Sequence, residues 1–576
     1  MRRGEQAIWW MVAAHAGALT LPGGAVAQER AVSQDRDARQ IIERLQQQER
    51  DRAERFERSR DRPPTGEEAE VAAPAVATGE DCAVIRQVRL VGVTRYRPAE
   101  FAAATAELKG DCVGLAAIDA ALHTITARYI GDGYVTSRAF VGPQDLKGGI
   151  LTITVIEGRL ADIRAAPGRH YGAGEIGAAF PLHRSSIVNL RALEQGVDQL
   201  ARLQKGDPGI DVEPGDLPGT STILVERGPL SSWIRPAVDV SNDGAAATGR
   251  LLETASLDLD SPLGIADSWS LYASRGGAGD GQIGNHAYGG FASLPRGWWT
   301  LALSGGAFGY RSVLHGHGLT FATRGRSWNG TASLDRMLHR NARTKLSADV
   351  GLSIMDTANY IRGIQLRTGS YRIVAGRIGG RWQRRLGESL LVTDARYTRG
   401  LRLLGAHTVD TGPGGATGRY RMISGDVELQ SGFAAGRTRF VNTAMLRWQR
   451  SPDELFPAQR FSLGGTSTVP GFREDGISGR SGALLREQLG IGLADVARDR
   501  PALATNLSAY VAYDLGIIQR QIGDPFERGT LESASVGARA QSRHGQLETA
   551  LAVPLSAPSW VRHKRTEIFV KFRMLL

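Results

Sequence analysis

The residues that most invite a chemical reading lie in Phe461–Leu489, FSLGGTSTVPGFREDGISGRSGALLREQL, where Gly464, Gly465, Gly471, Gly476, Gly479 and Gly482 crowd one stretch. Glycine at that density bends a backbone into conformations other residues avoid, and a phosphate cradle is the first chemistry it suggests. Such a cradle needs Gly-Lys-Ser/Thr opening into a helix, and neither follows, so phosphate binding is set aside. Elsewhere no nucleophile stands with a base, no carboxylates pair at a telling spacing and no histidine cluster accompanies the cysteines. The Asp-rich LDLDS from Leu257 alternates as a strand does and reads as lining a lumen. The chain is therefore expected not to be an enzyme, and neither metal nor cofactor is expected. Cys82 and Cys112 point instead to a disulfide, provided the chain is exported; closing that loop stabilises its module by roughly 3 to 4 kcal/mol in the chain-entropy model.

Export is written at the start. Arg2 and Arg3 precede an apolar run from Ala7 to Leu19 and the small residues Ala25-Val26-Ala27, the order of a secretory signal over residues 1–27. No later run approaches the ~20 apolar residues of a spanning helix, so a membrane could be crossed only by a barrel. The net charge of +11 raises nucleic-acid binding, but the excess is arginine scattered along the chain, which suits a solvated or pore-lining distribution. No nucleic-acid partner is expected.

The elements that would position the glycine-rich stretch follow in order. Residues 28–62 include DRDARQIIERLQQQERDRAERFERSR, a helix charged nearly all round with only Ile41, Ile42, Leu45 and Phe56 as large apolar residues. It needs a wet setting, either bulk solvent or a water-filled lumen. Residues 63–80 read as a flexible linker. In 81–160, Val88 and Leu90 mark a strand and Pro98 opens a short helix. Leu115, Ile118, Leu122, Ile125 and Tyr129 recur at helical steps, and strands are expected at Tyr134–Phe140 and Ile150–Ile156. A second module of similar plan occupies 161–229, its clearest helix capped by Asn189 and facing inward with Leu190, Leu193, Val197 and Leu200.

From residue 230 the texture changes to short alternating runs. In DSWSLYAS, Trp269, Leu271 and Ala273 oppose Ser268, Ser270 and Tyr272; in NLSAYVAYDLG, Val511, Tyr513 and Leu515 oppose Tyr510, Ala512 and Asp514; in IFVKFRMLL, Ile568, Val570 and Phe572 oppose Phe569, Lys571 and Arg573. A soluble sandwich shows the same period, but the signal sequence and the length favour a wall between lipid and water. Residues 230–576 allow about sixteen strands at ~22 residues per strand and connection, the even count that bacterial barrels use. The expected fold is thus a membrane β-barrel of about sixteen antiparallel strands, preceded by two α/β domains and an N-terminal helix.

With these modules laid out, the chain resembles the two-partner secretion transporters of the ShlB/FhaC/HecB type, within the superfamily of POTRA-bearing outer-membrane barrels. The resemblance covers essentially the whole mature chain. In the first module it is carried by Cys82, VRLVG, Cys112 and YIGDGYVTSRAFVGPQDLKGGILTITVIEGRL; in the second by NLRALEQGVDQLARL and PGDLPGTS; beyond them by VSNDGAAATGR from Val240 and YVAYDLG from Tyr510. It implies a plug helix, two periplasmic POTRA domains, and a barrel in the outer membrane of a Gram-negative cell whose sixth extracellular loop, near 461–482, re-enters the pore. The implied partners are a secreted exoprotein carrying an N-terminal secretion domain, outer-membrane lipid, and the barrel-assembly machinery during biogenesis. An insertase for other barrels is the alternative, favoured by three or more POTRA modules where two are found here; a passive porin is disfavoured by the same two modules.

The family's loop tip is Val-Arg-Gly-Tyr/Phe, and the tip arginine pairs with a wall aspartate matched here by Asp514, followed by Gly516. This chain reads Val469-Pro470-Gly471-Phe472, with proline in place of arginine. An unpaired buried carboxylate is costly, so Arg473, the nearest cation after the tip, is expected to take over the pairing with Asp514.

Overall fold

The computed structural model describes Arg52, Arg55 and residues 82–576, except 169–170, 205, 229–231, 278–282, 317–318, 367–368, 407–414, 437, 494–505, 520–527, 543 and 565. The expected signal (1–27), the linker (63–80) and all but Arg52 and Arg55 of the expected plug segment lie outside the described residues. Those two are helical.

The first module runs β1 (Cys82–Ile85), β2 (Gln87–Val91), α1 (Ala102–Ala106), β3 (Gly110–Gly114), α2 (Leu115–Gly131), β4 (Arg138–Phe140) and β5 (Ile150–Ile156). β5 is central, parallel to β2 and antiparallel to β4. Its alternating Leu151, Ile153 and Val155 are buried against Ile118, Ile125 and Tyr129 of α2, as the periodicities require. Leu115, at the start of α2, is instead exposed. The strand expected from Tyr134 begins only at Arg138, because 134–137 form a turn that packs Tyr134 edge-to-face with Tyr96 and Tyr129. The separate β1–β3 pair is stapled by the Cys82–Cys112 disulfide, whose Cα atoms are 5.0 Å apart.

The second module runs β6 (Arg159–Ala165), α3 (Ala173–Ala179), α4 (Leu190–Ala201), β7 (Pro208–Pro214) and β8 (Thr220–Arg227). β8 lies between a parallel β6 and an antiparallel β7. Asn189 caps α4 by accepting from Arg191 N at 2.9 Å, and Leu193 and Leu200 are buried.

The two modules meet at Glu157. This carboxylate is 6% exposed and accepts from Thr94 N (2.7 Å), Arg95 N (2.8 Å) and the Tyr129 hydroxyl (2.7 Å), and Arg159 stands 3.7 Å away. Burial alone would raise its pKa, but the bonds from Thr94, Arg95 and Tyr129 outweigh burial and hold it below the ordinary range. The sign follows directly: a lowered folded pKa stabilises the junction above the unfolded value, and the contribution is lost as pH falls through the folded one. Amide exchange at Thr94 and Arg95, corrected for intrinsic rates, should therefore accelerate as pH drops below 4.5. Glu157→Gln should remove that acid-dependent step and loosen the junction already at neutral pH by about 1–3 kcal/mol.

After the modules come the wall strands: β9 (Ile234–Ser241), β10 (Leu252–Asp260), β11 (Ser268–Gly277), β12 (Gly284–Arg296), β13 (Trp299–Gly316), β14 (Leu319–Arg340) and β15 (Thr344–Ile361), with a short return β16 (Ile364–Gln365). The wall continues with β17 (Tyr371–Leu386), β18 (Ser389–Leu401), β19 (Arg421–Ala435) and β20 (Thr438–Arg450). β21 (Phe461–Leu463) and β22 (Ile477–Gly479) belong to a loop, and β23 (Gly482–Gly492), β24 (Asn506–Ile518), β25 (Gly529–Gln541), β26 (Gly545–Ser556) and β27 (Glu567–Leu575) complete the wall. Each strand is antiparallel to its neighbours, β15 pairs directly with β17, and β27 pairs with β9, so the sheet closes as a 16-stranded barrel. Closure removes every sheet edge, as a sheet in hydrocarbon requires.

The alternating runs face as their chemistry dictates. Leu271, Val511, Ile568, Val570 and Phe572 are exposed on the outer surface, while Tyr272, Tyr510, Lys571 and Arg573 line a cavity inside. Among the described residues no helix is long and apolar enough to cross a membrane; the crossing is made by strands.

Candidate functional site: the obstructed lumen

β20 and β23 are neighbours in the wall, yet 451–481 separate them in sequence. Counted from the end that carries the two modules, this is the sixth loop at the far rim. It turns inward because its hairpin, β21 paired with β22, is apolar where it meets the wall: Phe461, Leu463, Val469, Phe472 and Ile477 bury with Leu484, Ile518, Leu531 and Val561. Two glycines make the fit possible. A Cβ on Gly516 would lie 2.7 Å from the Leu463 side chain, and one on Gly471 would lie 2.7 Å from Pro554 N and 2.9 Å from Ser533 Cβ. Gly516 is thus the wall position on which the loop base rests, and Gly471 the point of closest approach by the tip.

Val469 and Phe472 are fully buried, and Pro470 faces the cavity. Asp514 has no exposed surface. It is not held by Arg473. β23 and β24 place Arg486 directly opposite Asp514, and Arg486 Nε donates to the carboxylate while its Nη2 donates to Thr468 O at 2.8 Å. The wall itself supplies the cation, and the loop contributes a backbone carbonyl. Arg473, 4% exposed, points the other way, pairing with Glu567 at 3.2 Å, donating to Ile568 O and lying 4.1 Å over the Phe569 ring. The expected Arg473–Asp514 pair is thus replaced by two separate pairs. The physical reason is local: Phe472 must enter the apolar cluster, which turns the next side chain toward β27, and an arginine already across a hairpin from Asp514 reaches it without ordering a loop. Glu474 continues the anchoring, accepting from Arg250 at 2.7 Å and from Ala246 N at 3.0 Å.

These contacts make two expectations. Pro470→Arg should leave single-channel conductance unchanged, since Asp514 is already engaged. Gly471→Ala should displace the tip at a cost of about 1–3 kcal/mol and raise both conductance and its fluctuations in planar bilayers.

A cavity of about 830 Å³ in the lumen is bounded on one side by Arg52 and Arg55, the two described residues of the charged helix; Arg52 lies 4.5 Å over the Tyr272 ring. Of the two settings open to that helix, these residues occupy the lumen. At the near rim, α3 and α4 press against the barrel turns: Gln195 and Gln199 both donate to Gly297 O (3.2 and 3.1 Å), and Gly297 N donates to Ala178 O at 2.8 Å. Arg340, 2% exposed, reaches Glu194 at 3.0 Å and Asp198 at 2.6 Å. Sequence reasoning missed α3, Arg340 and Arg486. The signal for Arg486 was present, since it shares the lumen-facing parity of Gln488 in the hairpin partner of the Asp514 strand.

A closed barrel with an apolar outer face, an obstructed polar lumen and two small α/β modules packed beneath it defines a membrane β-barrel preceded by two α/β domains. The ShlB-type POTRA domain model matches residues 83–158, a second POTRA domain model matches 159–214, and that for the haemolysin secretion/activation protein ShlB/FhaC/HecB matches 219–540. The chain is 30% identical over 495 residues to the outer membrane transporter CdiB of Escherichia coli, covering 85% of this chain and 82% of that protein. It is 27% identical over 498 residues to the haemolysin transporter protein ShlB of Serratia marcescens, covering 83% and 82%. A solved structure of CdiB from Escherichia coli superposes with a TM-score of 0.82 at 28% identity, covering 94% of this chain and 98% of that one. The chain belongs to the ShlB/FhaC/HecB family of two-partner secretion transporters, which places its barrel in the outer membrane and its POTRA domains in the periplasm.

Proposed function

We propose that this transporter exports a large haemolysin- or haemagglutinin-like exoprotein, captured in the periplasm through an N-terminal secretion domain. The observation that carries the reading is the obstructed lumen, where the loop is fixed by separate polar contacts of Arg486, Arg473 and Glu474 and by one apolar cluster. Such a closure yields to an incoming chain, whereas a passive porin keeps its lumen open. An extended substrate adds to a POTRA sheet edge through backbone hydrogen bonds that depend little on sequence. The periplasm offers no nucleotide, so folding of the emerged substrate outside drives the transfer, and no catalytic step is assigned to the transporter. Lipid contacts the apolar outer face, the barrel-assembly machinery inserts the wall, and no nucleic acid is involved. The test is deletion of this protein in a cell that also encodes, in the neighbouring reading frame, a large exoprotein with a haemagglutinin-like N-terminus. That exoprotein should disappear from the medium and return with the gene; its continued secretion would overturn the reading.

A further inference from the structure

The outer face of the barrel on β18, β19 and β20 is apolar in the middle and strongly basic at the far rim. On β19 and β20 the band begins with Phe433 stacked on Phe440, ring centroids 5.1 Å apart. It rises through Leu446 and ends at Trp448, whose ring covers Gly425. Eight residues at ~3.3 Å give roughly 26 Å along a tilted strand, the scale of the ~25 Å hydrocarbon band with its aromatic girdles. Immediately above, on the same outward parity, stand Arg399, Arg421 and Arg450.

Their arrangement is unfavourable by itself. Arg399 is directly opposite Arg421 across β18 and β19, and Arg450 is opposite Ile423, two residues from Arg421. Like charges facing each other across strands destabilise a sheet. Asp453 accepts from Arg421 (3.2 Å) and Glu454 from Arg480 (3.0 Å). Arg399 and Arg450, both exposed, have no carboxylate partner among the described residues. Beside them Tyr397, Arg421, Ile423, Arg450 and Arg480 line a recess of about 450 Å³ that combines apolar walls with guanidinium groups.

We propose that this rim is a binding site for the phosphorylated glycolipid of the outer leaflet, with Arg399 and Arg450 taking a headgroup phosphate while acyl chains run down over Ile423 and Tyr397. A guanidinium pairs with phosphate through two parallel hydrogen bonds, and a phosphate held by Arg399 and Arg450 offsets two of the three clustered positive charges. The height of the cluster, one step above the girdle, is where a headgroup phosphate of that leaflet sits. The occupant is a lipid rather than a soluble anion because Tyr397 and Ile423, which line the recess, lie on the same outward face as the apolar band below it.

The test uses the full chain in detergent, titrated with bis-phosphorylated hexa-acyl lipid A and followed by native mass spectrometry. Arg399→Gln with Arg450→Gln should weaken binding about tenfold, and Arg450→Gln alone about threefold, so a double variant that fails to fold leaves the single one to decide. Arg138→Gln with Arg164→Gln, an equal loss of charge on the POTRA domains, should change nothing. Dephosphorylated lipid A and phosphatidylglycerol should bind the unaltered chain no better than lipid A binds the double variant, and millimolar inorganic phosphate should not displace lipid A. Equal binding by either comparison lipid, displacement by inorganic phosphate, or undiminished binding by the rim variants would each overturn the proposal.

Discussion

Arg486→Gln should destabilise the barrel by about 3 kcal/mol, the lower end for a broken buried pair, and should raise the open fraction of the pore in planar bilayers. The lower end applies because Arg486 keeps 24% exposure to the lumen while Asp514 has none. Two effects separate in the variants. Loss of Arg486 leaves the carboxylate without its cation and also deletes the bond to Thr468 O that holds the loop tip. Arg486→Gln with Asp514→Asn should recover most of the stability, since no buried charge remains, but not the closed state, since Thr468 still lacks its donor. Urea unfolding in lipid gives the first quantity and single-channel recording the second. A double variant that restored both would show that the charge pair alone closes the pore. An Arg486→Gln protein with unaltered conductance would show that the apolar cluster about Phe472 suffices. Arg473→Gln, by contrast, should leave Asp514 undisturbed and free the loop from β27, because its partners are Glu567 and Phe569.

The outcome at Asp514 also shows what the sequence could carry. Alternation in NLSAYVAYDLG set Asp514 on the lumen face and Val511 on the lipid face, since a strand has one period and two solvents to satisfy. The module helices were legible for the same reason: Ile118, Ile125 and Tyr129 fall on one face. What could not be read was register between strands joined by a long connection. The hairpin that puts Arg486 opposite Asp514 is separated by residues 493–505, and no local rule fixes how two alternating runs slide past each other across such a gap. Proximity in sequence therefore favoured Arg473, and proximity across the sheet decided for Arg486. The helix Ala173–Ala179 was missed because AGEIGAA has little amphipathic pattern; its Gly174 serves close approach instead, a Cβ there standing 2.5 Å from Gly264 O of the barrel.

Arg340→Met should uncouple the second POTRA domain from the barrel at a cost of about 3 kcal/mol while leaving the closed pore closed. Arg340 ends β14 and enters the face of α4, where Glu194, Gln195 and Asp198 converge on one guanidinium. Methionine keeps the length and apolar stem but removes the cation that Glu194 and Asp198 share. Neither is left wholly alone: Arg191 holds Glu194 at 2.6 Å and Lys345 also reaches Asp198, which keeps the cost near the lower end for a broken buried pair. The expected sign is faster hydrogen exchange through Leu190–Ala201 and at Gly297, with single-channel conductance as in the unaltered protein and reduced export of the partner. The contrast with Arg486 is what makes the result informative. One arginine closes the lumen from the wall and the other fixes the periplasmic domain beneath its mouth, so loss of the first should alter conductance and loss of the second should alter export without it. If Arg340→Met exports normally despite faster exchange, capture does not require a rigidly docked second domain, and the contacts of Arg340 then serve stability alone.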